Sequence, residues 1–267
     1  MKQERVRVLW NHMECSGYFR MGLTCHPEYT RSKPGQFVMV RVTDLLTPLL
    51  RRPFSIHRLI RSEGGGLEGL EILYKIVGMG TERLSRCVAG DGLSLLGPLG
   101  RGFALPEKPG RVFIVAGGVG VAPMTFLAET LREKGFDISQ CMVFIGSRSK
   151  EDLLCMNDFF TMGVETLHIT TDDGTAGEKN VVTGPLERAV RERLPDLIYA
   201  CGPIPMLRAT SHVAEKYGIP CQISIETMMG CGMGACLGCA VAVANDPDKY
   251  LHACIDGPVF NASEIVL

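Results

Sequence analysis

The sequence predicts an antiparallel β-barrel, a doubly wound α/β domain with a parallel sheet, and a small cysteine-rich C-terminal segment. Six short runs of β-branched or alternating residues lie within residues 1–103 and are separated by turn signals. Runs typical of strands and helices alternate over residues 104–225, as they do around a parallel sheet. Residues 226–267 are too few and too glycine-rich to form a large core of their own. We therefore divide the chain at these boundaries.

The composition is that of a folded protein, and it argues against several classes of partner. The chain has 267 residues, of which 46% are hydrophobic, and a formal net charge of −1. This charge gives no reason to expect nucleic acid or an acidic membrane surface as partner. No apolar run approaches the about 18 residues of a membrane span, and the first residues lack the apolar core of a signal peptide. Eleven cysteines in such a chain argue against a disulfide framework, so we expect a cytoplasmic protein.

The predicted barrel has six strands, with one helix between the fifth and the sixth. Close spacing of short strands and frequent turn residues is typical of small barrels. The strands are Val6–Trp10, Tyr18–Cys25, Gln36–Val42, Phe54–Ile60, Leu70–Val77 and Gly92–Leu96. The helix covers Thr81–Val88, and a glycine-rich stretch from Gly97 to Gly102 ends the periodic pattern.

The second domain opens on Val112–Ala116, a continuous apolar run expected for a strand that is buried on both faces. The other predicted strands are Cys141–Ile145, Thr166–Thr170, Leu197–Ala200 and Gln222–Ile225. The predicted helices are Pro123–Lys134, Lys150–Phe159, Pro185–Leu194 and Pro205–Tyr217. Sheets of this kind bind their ligands at the carboxyl ends of the strands, so the loops at those ends are candidate sites.

Four cysteines near the end of the sequence form a candidate metal site. Cys231, Cys236 and Cys239 are separated by four and then two residues, and Cys254 follows in a later segment. This is the spacing of a plant-type [2Fe–2S] site, and the intervening glycines suit a loop that brings amides close to sulfur. A zinc site with four cysteine ligands and a disulfide pair are the alternatives. The spacing favours the iron–sulfur cluster.

Two stretches of the barrel carry candidate phosphate and ring contacts. Arg52-Pro53-Phe54-Ser55 opens a strand with a cation that suits a phosphate and a hydroxyl that suits a planar ring. Leu73-Tyr74-Lys75 ends a strand, and Gly78 to Thr81 then lead into a helix whose first amides suit a phosphate. A solvated arginine and a plain N-cap by Thr81 are the simpler interpretations of each stretch taken alone.

A glycine-rich loop follows the first strand of the second domain and is a candidate nucleotide site. It contains Gly117, Gly118 and Gly120, but Ala122-Pro123 stands where a dinucleotide fingerprint has its last glycine. Cys201-Gly202-Pro203 ends a later strand in the same way, so we expect both loops to line one crevice.

Individual side chains near that crevice have competing interpretations. Cys201 is either a neighbour of a nicotinamide or a packed thiol. The carboxylates of Asp172-Asp173 favour NAD over NADP because they would repel a 2′-phosphate, although a solvated turn explains them equally well.

Together these motifs resemble the ferredoxin–NADP reductase superfamily. The stretch from Met229 to Cys239, followed by Cys254-Ile-Asp-Gly-Pro-Val-Phe260, resembles the electron transfer subunits of NAD-dependent dihydroorotate dehydrogenase B, the PyrK family. The resemblance covers essentially the whole chain. It implies a [2Fe–2S] cluster at the four cysteines, and FAD at Arg52, Pro53, Phe54, Ser55, Leu73, Tyr74, Lys75, Gly80 and Thr81.

The resemblance also implies a function. In that family a partner subunit carries FMN and oxidises dihydroorotate to orotate during pyrimidine (UMP) synthesis, in a heterotetramer with two copies of each subunit. Because a flavin exchanges electrons singly or in pairs, FAD belongs between the cluster and NAD+. We expect no general acid or base in this chain, with Ser55 in contact with the flavin ring. Glu226 is either a flavin neighbour or an exposed carboxylate.

Two alternatives remain open at this point, and so does the place where a partner would dock. One alternative is a related FAD and [2Fe–2S] subunit of a ferredoxin or hydrogenase-type complex that uses NAD(P)H. The other is a zinc-stabilised binding module without redox activity. Since cationic residues near the cysteines are sparse, we expect an apolar docking face formed by Met228, Met229, Met233 and Leu237. The alternative is that these side chains pack over the cluster within the chain.

Overall fold

Six antiparallel strands close into a barrel in a computed structural model that describes residues 1–43, 47–107 and 110–267. The strands are β1 (Lys2–Cys15), β2 (Tyr18–Thr24), β3 (Phe37–Arg41), β4 (Arg52–Arg61), β5 (Leu67–Lys75) and β6 (Gly92–Leu99). Their order around the barrel is β1-β2-β5-β4-β3-β6, which confirms the predicted fold class. Since every strand has a neighbour on both sides, the barrel has no open edge.

A short helix, α1 (Met79–Ser85), covers one end of the barrel. Its Leu84 is fully buried and belongs to the barrel core, together with Val38 and Ile72. The side-chain amide of Asn11 in β1 donates to the carbonyls of Leu84 (2.9 Å) and Cys87 (3.0 Å). These bonds tie the end of α1 and the residue Cys87 that follows it to the barrel.

The second domain is a parallel sheet with helices on both faces. The strands are β7 (Val112–Gly117), β8 (Met142–Ser147), β9 (Thr166–Thr171), β10 (Glu178–Lys179), β11 (Leu197–Cys201) and β12 (Cys221–Ser224). Their order is β10-β9-β8-β7-β11-β12, and each pair is parallel. The helices are α2 (Val121–Glu133), α3 (Met156–Met162), α4 (Thr183–Glu192) and α5 (Ile204–Lys216).

Strand β7 shows why the sheet is buried on both faces. Val112, Ile114 and Ala116 pack with α2 and α3, whereas Phe113 and Val115 pack with α4 and α5. All five residues are fully buried, as the continuous apolar run predicts.

The predicted helix Lys150–Phe159 is wrong in its first half. Lys150–Asp152 forms only a 3-10 turn, and α3 begins at Met156. The reason is the backbone of Cys155, whose φ of 60° lies in the left-handed region and interrupts any continuous helix. The period of apolar residues continues across this break, which is why the sequence alone predicts one helix.

The C-terminal segment forms a hairpin and then joins the sheet. The hairpin consists of β13 (Ala240–Val243) and β14 (Asp246–His252). The last strand, β15 (Val259–Asn261), pairs with β12 as an antiparallel seventh strand. The segment is thereby fixed to the second domain at both of its ends. None of the helices in the described part of the chain has the length and apolar character needed to span a bilayer.

Polar side chains join the barrel to the second domain. Asp158 of α3 accepts hydrogen bonds from Arg20 at 2.6 and 3.1 Å and from Arg58 at 2.9 Å. Phe126 of α2 is an apolar contact between the domains, because it belongs to the core of the barrel. The directed bonds restrict how the two domains are oriented, since ion pairs need specific geometry whereas apolar contacts tolerate sliding.

We predict that Asp158 makes the stability of the chain depend on pH. Burial raises the pKa of its carboxyl, but the bonds and charges of Arg20 and Arg58 outweigh burial and lower the pKa to about 2. Because the folded pKa is lower than the unfolded one, this stabilisation is complete above about pH 4 and is lost as the pH falls to about 2.

The test is urea denaturation of Asp158→Asn and of the unchanged chain across this pH range. The difference between their free energies of unfolding should shrink by about 2 kcal/mol between about pH 4 and pH 2. Asp248→Asn, at an exposed position in β14, is the matched control and should show no such change. A difference for Asp158→Asn that is independent of pH would contradict the assignment.

Candidate functional site

The β13–β14 hairpin brings two of the four cysteines together. Its register pairs Ala240 with His252, so Cys239 and Cys254 lie just outside the paired ends of the hairpin. The amide of Ala253 donates to the carbonyl of Cys239 at 3.0 Å. The two sulfurs are consequently 3.2 Å apart and buried. Residues that are far apart in the sequence thus form one half of the candidate metal site.

The loop before the hairpin places the other two cysteines. Cys231 Sγ accepts hydrogen bonds from the amides of Met233 and Cys236, both at 3.4 Å, so the second bond links the two cysteines. Although burial raises the pKa of Cys231, these bonds lower it to about 7. Amides directed at sulfur stabilise a thiolate, which is the form that binds metal.

Backbone conformation allows this loop to turn its amides inward. Gly232 and Gly234 have φ angles of 74° and 80°, a region that costs glycine little. The amide of Gly234 donates to Cys254 Sγ at 3.2 Å and so joins the two halves of the site. Leu237 also has a positive φ, of 56°, although it is not a glycine. This conformation costs energy, and such strained residues are typical of functional loops.

The four sulfurs form two pairs and do not surround a single point. Within the described residues, no three of these sulfurs lie within 4.8 Å of one another. A single tetrahedral zinc with bonds of about 2.3 Å requires all four sulfurs to be about 3.8 Å apart. Two pairs of thiols, Cys231 with Cys236 and Cys239 with Cys254, suit a group with two metal ions. All four are free cysteines, so the disulfide alternative does not describe this structure.

The cysteine loop packs directly against the barrel. A Cβ atom added to Gly232 would lie 2.6 Å from Cγ of Met39 in β3, so only glycine fits between loop and strand. In the register of β3 and β4, Met39 is paired with Pro53 of the Arg52–Ser55 motif. The loop and this motif are therefore separated by a single strand.

The structure also brings the two barrel motifs together. The guanidinium Nε of Arg52 lies 3.2 Å from the position that a Cβ of Gly80 would occupy, so the arginine covers the start of α1. The rings of Phe54 and Tyr74 contact each other edge to face, with centroids 5.8 Å apart. Ser55 is half-buried, and its hydroxyl donates to no group in the described part of the chain.

Two of the predicted residues already have partners within the protein. The hydroxyl of Thr81 accepts from the amides of Val77 (2.9 Å) and Gly78 (3.2 Å) and donates to the carbonyl of Gly78. Lys75 donates to the hydroxyl of Tyr18 at 2.7 Å and forms an ion pair with Asp152 at 3.3 Å. Thr81 thus fixes the backbone before α1, and Lys75 links the barrel to Asp152 of the second domain.

The two glycine loops of the second domain meet at the carboxyl ends of β7 and β11. These strands are adjacent, and Ala116 is paired with Cys201. A Cβ on Gly120 would lie 2.6 Å from the carbonyl carbon of Cys201, and one on Gly117 would lie 2.8 Å from Pro203. The loops fit against each other only because both positions are glycine. Pro123 is buried in the first turn of α2.

A cavity of about 390 Å³ opens beside these loops. Its walls include Gly117, Gly118, Pro203 and Asp172. The second aspartate, Asp173, instead accepts from the amide and hydroxyl of Thr175 at 2.9 and 2.7 Å and stabilises a turn. Burial raises the pKa of the half-buried Cys201 to about 12, so this thiol is protonated at neutral pH.

Several residues of this cavity could not be predicted from the sequence. Tyr18 comes from the barrel, and its hydroxyl donates to Asp152 at 2.6 Å. Arg148 and Met206 line other parts of the wall. These residues belong to no local motif and meet only through the packing of the two domains. The single available signal was the polar stretch from Ser147 to Asp152 that follows a strand end.

A second cavity of about 310 Å³ lies between the Gly202–Ile204 loop and residues Glu226, Thr227 and Met228. Glu226 is exposed at its edge, and the hydroxyl of Thr227 is buried without a partner in the described structure. A buried hydroxyl of this kind is available to a ligand at the junction of nucleotide loop and cysteine segment.

Known protein families match both the cysteine-rich segment and the second domain of this chain. The family model for the iron–sulfur cluster binding domain of dihydroorotate dehydrogenase B matches residues 226–266. The model for the oxidoreductase NAD-binding domain matches residues 114–212.

A structure of an NADH-dependent reduced ferredoxin–NADP oxidoreductase has a TM-score of 0.83 and 29% identity, covering 98% of this chain and 89% of that one. A ferredoxin NADP+ reductase from Neisseria gonorrhoeae shares the fold, with a TM-score of 0.66 and 17% identity over 82% of this chain and 92% of its own.

The fold and the matched domains define an NAD-linked electron transfer oxidoreductase with a ferredoxin reductase-like architecture. The electron transfer subunit of dihydroorotate dehydrogenase B (NAD(+)) from Desulforamulus reducens is 40% identical, covering 87% of this chain and 86% of its own. The same subunit from Geobacillus sp. is 37% identical over the full length of both chains. This chain therefore belongs to the family of dihydroorotate dehydrogenase B (NAD(+)) electron transfer subunits.

We predict that Gly120→Ala weakens the binding of NADH about tenfold. The added Cβ meets backbone atoms of Cys201 and Gly202, which cannot rotate away, so the two loops must separate. Titration calorimetry of the purified chain measures this change. Gly92→Ala in the barrel is the control, because its Cβ meets no atom within 4 Å. Equal affinity of Gly120→Ala and the unchanged chain would contradict the proposed contact between nucleotide and loops.

Proposed function

We propose that this chain receives electrons from an FMN-containing dihydroorotate dehydrogenase subunit and passes them through a [2Fe–2S] cluster and FAD to NAD+. The partner would oxidise dihydroorotate to orotate in the cytoplasm, within de novo pyrimidine (UMP) biosynthesis. The observation that carries the proposal is the grouping of four cysteines in one segment, whose loop packs one strand away from the Arg52–Ser55 motif. Membership of the family supports it.

The proposed cluster ligands are Cys231, Cys236, Cys239 and Cys254. Their sulfurs form the two pairs that two metal ions require, and amides of the loop already donate to two of the sulfurs. When bound, the cluster exchanges single electrons, and FAD converts between single-electron and hydride transfer. Amides that donate to sulfur favour the reduced state of such a cluster, so the loop backbone sets its potential.

The proposed FAD site is formed by Arg52–Ser55, Leu73–Lys75, Gly80 and Thr81. Arg52 covers the start of α1 and provides a guanidinium for the diphosphate. The free hydroxyl of Ser55 is available to the flavin ring. Thr81 holds the backbone before α1 through its hydrogen bonds, and Lys75 is held by the hydroxyl of Tyr18.

The proposed nicotinamide nucleotide site is the cavity at the carboxyl ends of β7 and β11. Gly117, Gly118 and Gly120 give the nucleotide close access to backbone amides, and Pro123 lies in the first turn of the helix behind them. Asp172 in the cavity wall disfavours a 2′-phosphate, which supports NAD over NADP. In this proposal, the protonated Cys201 packs against the bound nucleotide, together with Gly202 and Pro203.

The proposed docking face for the partner surrounds Cys236, the exposed member of the four cysteines. Met228, Met233, Leu237 and Ile255 are large apolar side chains exposed on the same segment. Met229 was expected there too, but it packs against the core of the second domain. Exposed apolar groups of this kind mark protein contacts, and we propose a heterotetramer with two copies of each subunit.

A second candidate is a related subunit that exchanges electrons with ferredoxin. The observation that favours it is the similarity to the NADH-dependent reduced ferredoxin–NADP oxidoreductase over almost the whole chain. Turnover with ferredoxin as acceptor, compared with turnover in the presence of the dihydroorotate-oxidising partner, separates the two.

We predict that Cys236→Ser combined with Cys239→Ser abolishes electron transfer from the partner but spares NADH oxidation by ferricyanide. One ligand is lost from each sulfur pair, whereas the barrel and the nucleotide loops are unchanged. Stopped-flow absorbance, with iron, sulfide and FAD analysis, measures the outcome. The control is Cys25→Ser combined with Cys87→Ser, at two barrel cysteines outside the loop.

Two results would contradict the proposed order of carriers. One is loss of both activities in the double variant while FAD stays bound. The other is an anaerobically purified chain with one zinc and no sulfide.

A further inference from the structure

A buried polar cluster lies where the barrel meets the second domain, and the proposed function does not use it. His57, Cys155 and Asp158 place ligand atoms within 4.8 Å of one another. A cation is nevertheless disfavoured there, because the guanidiniums of Arg20 and Arg58 already occupy the oxygens of Asp158. Arg20 also pairs with Glu14 at 2.9 Å and lies 3.9 Å from Glu71, so guanidiniums already provide positive charge to the carboxylates around the cluster.

Within this cluster His57 makes a bond that differs from the ion pairs. It is fully buried in β4, two residues after Ser55. Its Nδ1 lies 3.1 Å from the backbone carbonyl oxygen of Ala122, in the first turn of α2. Its other nitrogen, Nε2, lies 3.3 Å from Glu71 Oε1 but is not aligned for a hydrogen bond.

The protonation of His57 follows from these surroundings. A carbonyl oxygen only accepts, so Nδ1 must carry a proton and donate it. Burial, followed by the charges of Arg20 and Arg58, lowers the pKa of His57 to about 3. The ring is therefore neutral at pH 7 and has its one proton on Nδ1.

This bond joins the two cofactor motifs. Ala122 lies two residues after Gly120, and His57 lies two residues after Ser55. One turn further along α2, Phe126 enters the barrel core and supplies apolar contact. Apolar contact tolerates sliding, whereas the bond from His57 fixes the position of the helix start relative to β4.

We propose that His57 is a positioning residue that sets the separation between the flavin-binding strand and the nucleotide loop. This inference rests on the proposed function. Hydride transfer requires the reacting atoms to lie about 3–3.5 Å apart, and a displacement of about 1 Å can cost about 100-fold in rate. Apart from Tyr18 of the barrel, the residues that line the proposed nucleotide site belong to the second domain, so nucleotide affinity depends little on the bond.

Three variants of the full-length, FAD-loaded chain test the proposal. His57→Asn keeps an amide donor near the position of Nδ1, and His57→Gln moves the donor to the position of Nε2. His57→Leu removes the donor and keeps the volume filled. Flavin reduction is followed by stopped-flow absorbance over a range of NADH concentrations, with NADH deuterated at C4 in a parallel series.

The expected result is a loss of rate without a loss of affinity. His57→Leu and His57→Gln should reduce flavin at least about tenfold more slowly at saturating NADH, with a dissociation constant within about twofold of the unchanged chain. His57→Asn should recover most of the rate. Slower hydride transfer should also increase the deuterium isotope effect in the two impaired variants.

Hydrogen exchange provides a readout that needs no nucleotide. Amides of residues 118–126 should exchange faster in His57→Leu and His57→Gln than in His57→Asn or the unchanged chain. Equal exchange in all four proteins would overturn the proposal. Unchanged rates of flavin reduction, or equal slowing in all three variants, would also overturn it. A flavin that NADH does not reduce in the unchanged chain would contradict the proposed function instead, and hydrogen exchange would still decide whether His57 fixes the helix.

Discussion

The close approach of Gly232 to Met39 is the contact on which the arrangement of the redox segments depends. Any larger residue at this position would push the cysteine loop away from β3. The loop would then no longer lie one strand away from the Arg52–Ser55 motif, which pairs with β3 through Pro53. Because electron transfer becomes slower with distance, a loop held this close to the barrel supports the proposal of direct transfer between cluster and flavin. The absence of a side chain at Gly232 thus allows the proposed cluster to lie next to the proposed FAD site.

A second constraint comes from the polar surface between the domains. Asp158 pairs with Arg20 and Arg58, and His57 bonds to the start of α2. Buried ion pairs add little net stability compared with apolar packing, but they accept few alternative orientations. An enzyme that must hold two cofactors at a fixed separation benefits from such an interface.

Local patterns in the sequence were sufficient for the main elements of the fold. The apolar run Val112–Ala116 predicts a strand buried on both faces, and the spacing of the cysteines predicts a two-iron site. Both patterns arise from short-range geometry, which the sequence records directly. The boundary of α3 could not be predicted, because it depends on the left-handed backbone of Cys155 and not on any apolar period. The pairing of β15 with β12 depends on contacts between segments far apart in the sequence.

Reductive titration of the anaerobic chain with NADH, followed by absorbance and electron paramagnetic resonance, tests the central claim most directly. The claim is that one chain connects a nicotinamide site, FAD and a two-iron cluster. We expect uptake of about three electrons per chain, two on FAD and one on the cluster, with a paramagnetic signal from the reduced cluster. Uptake of only about two electrons, with no such signal at full flavin reduction, would contradict it.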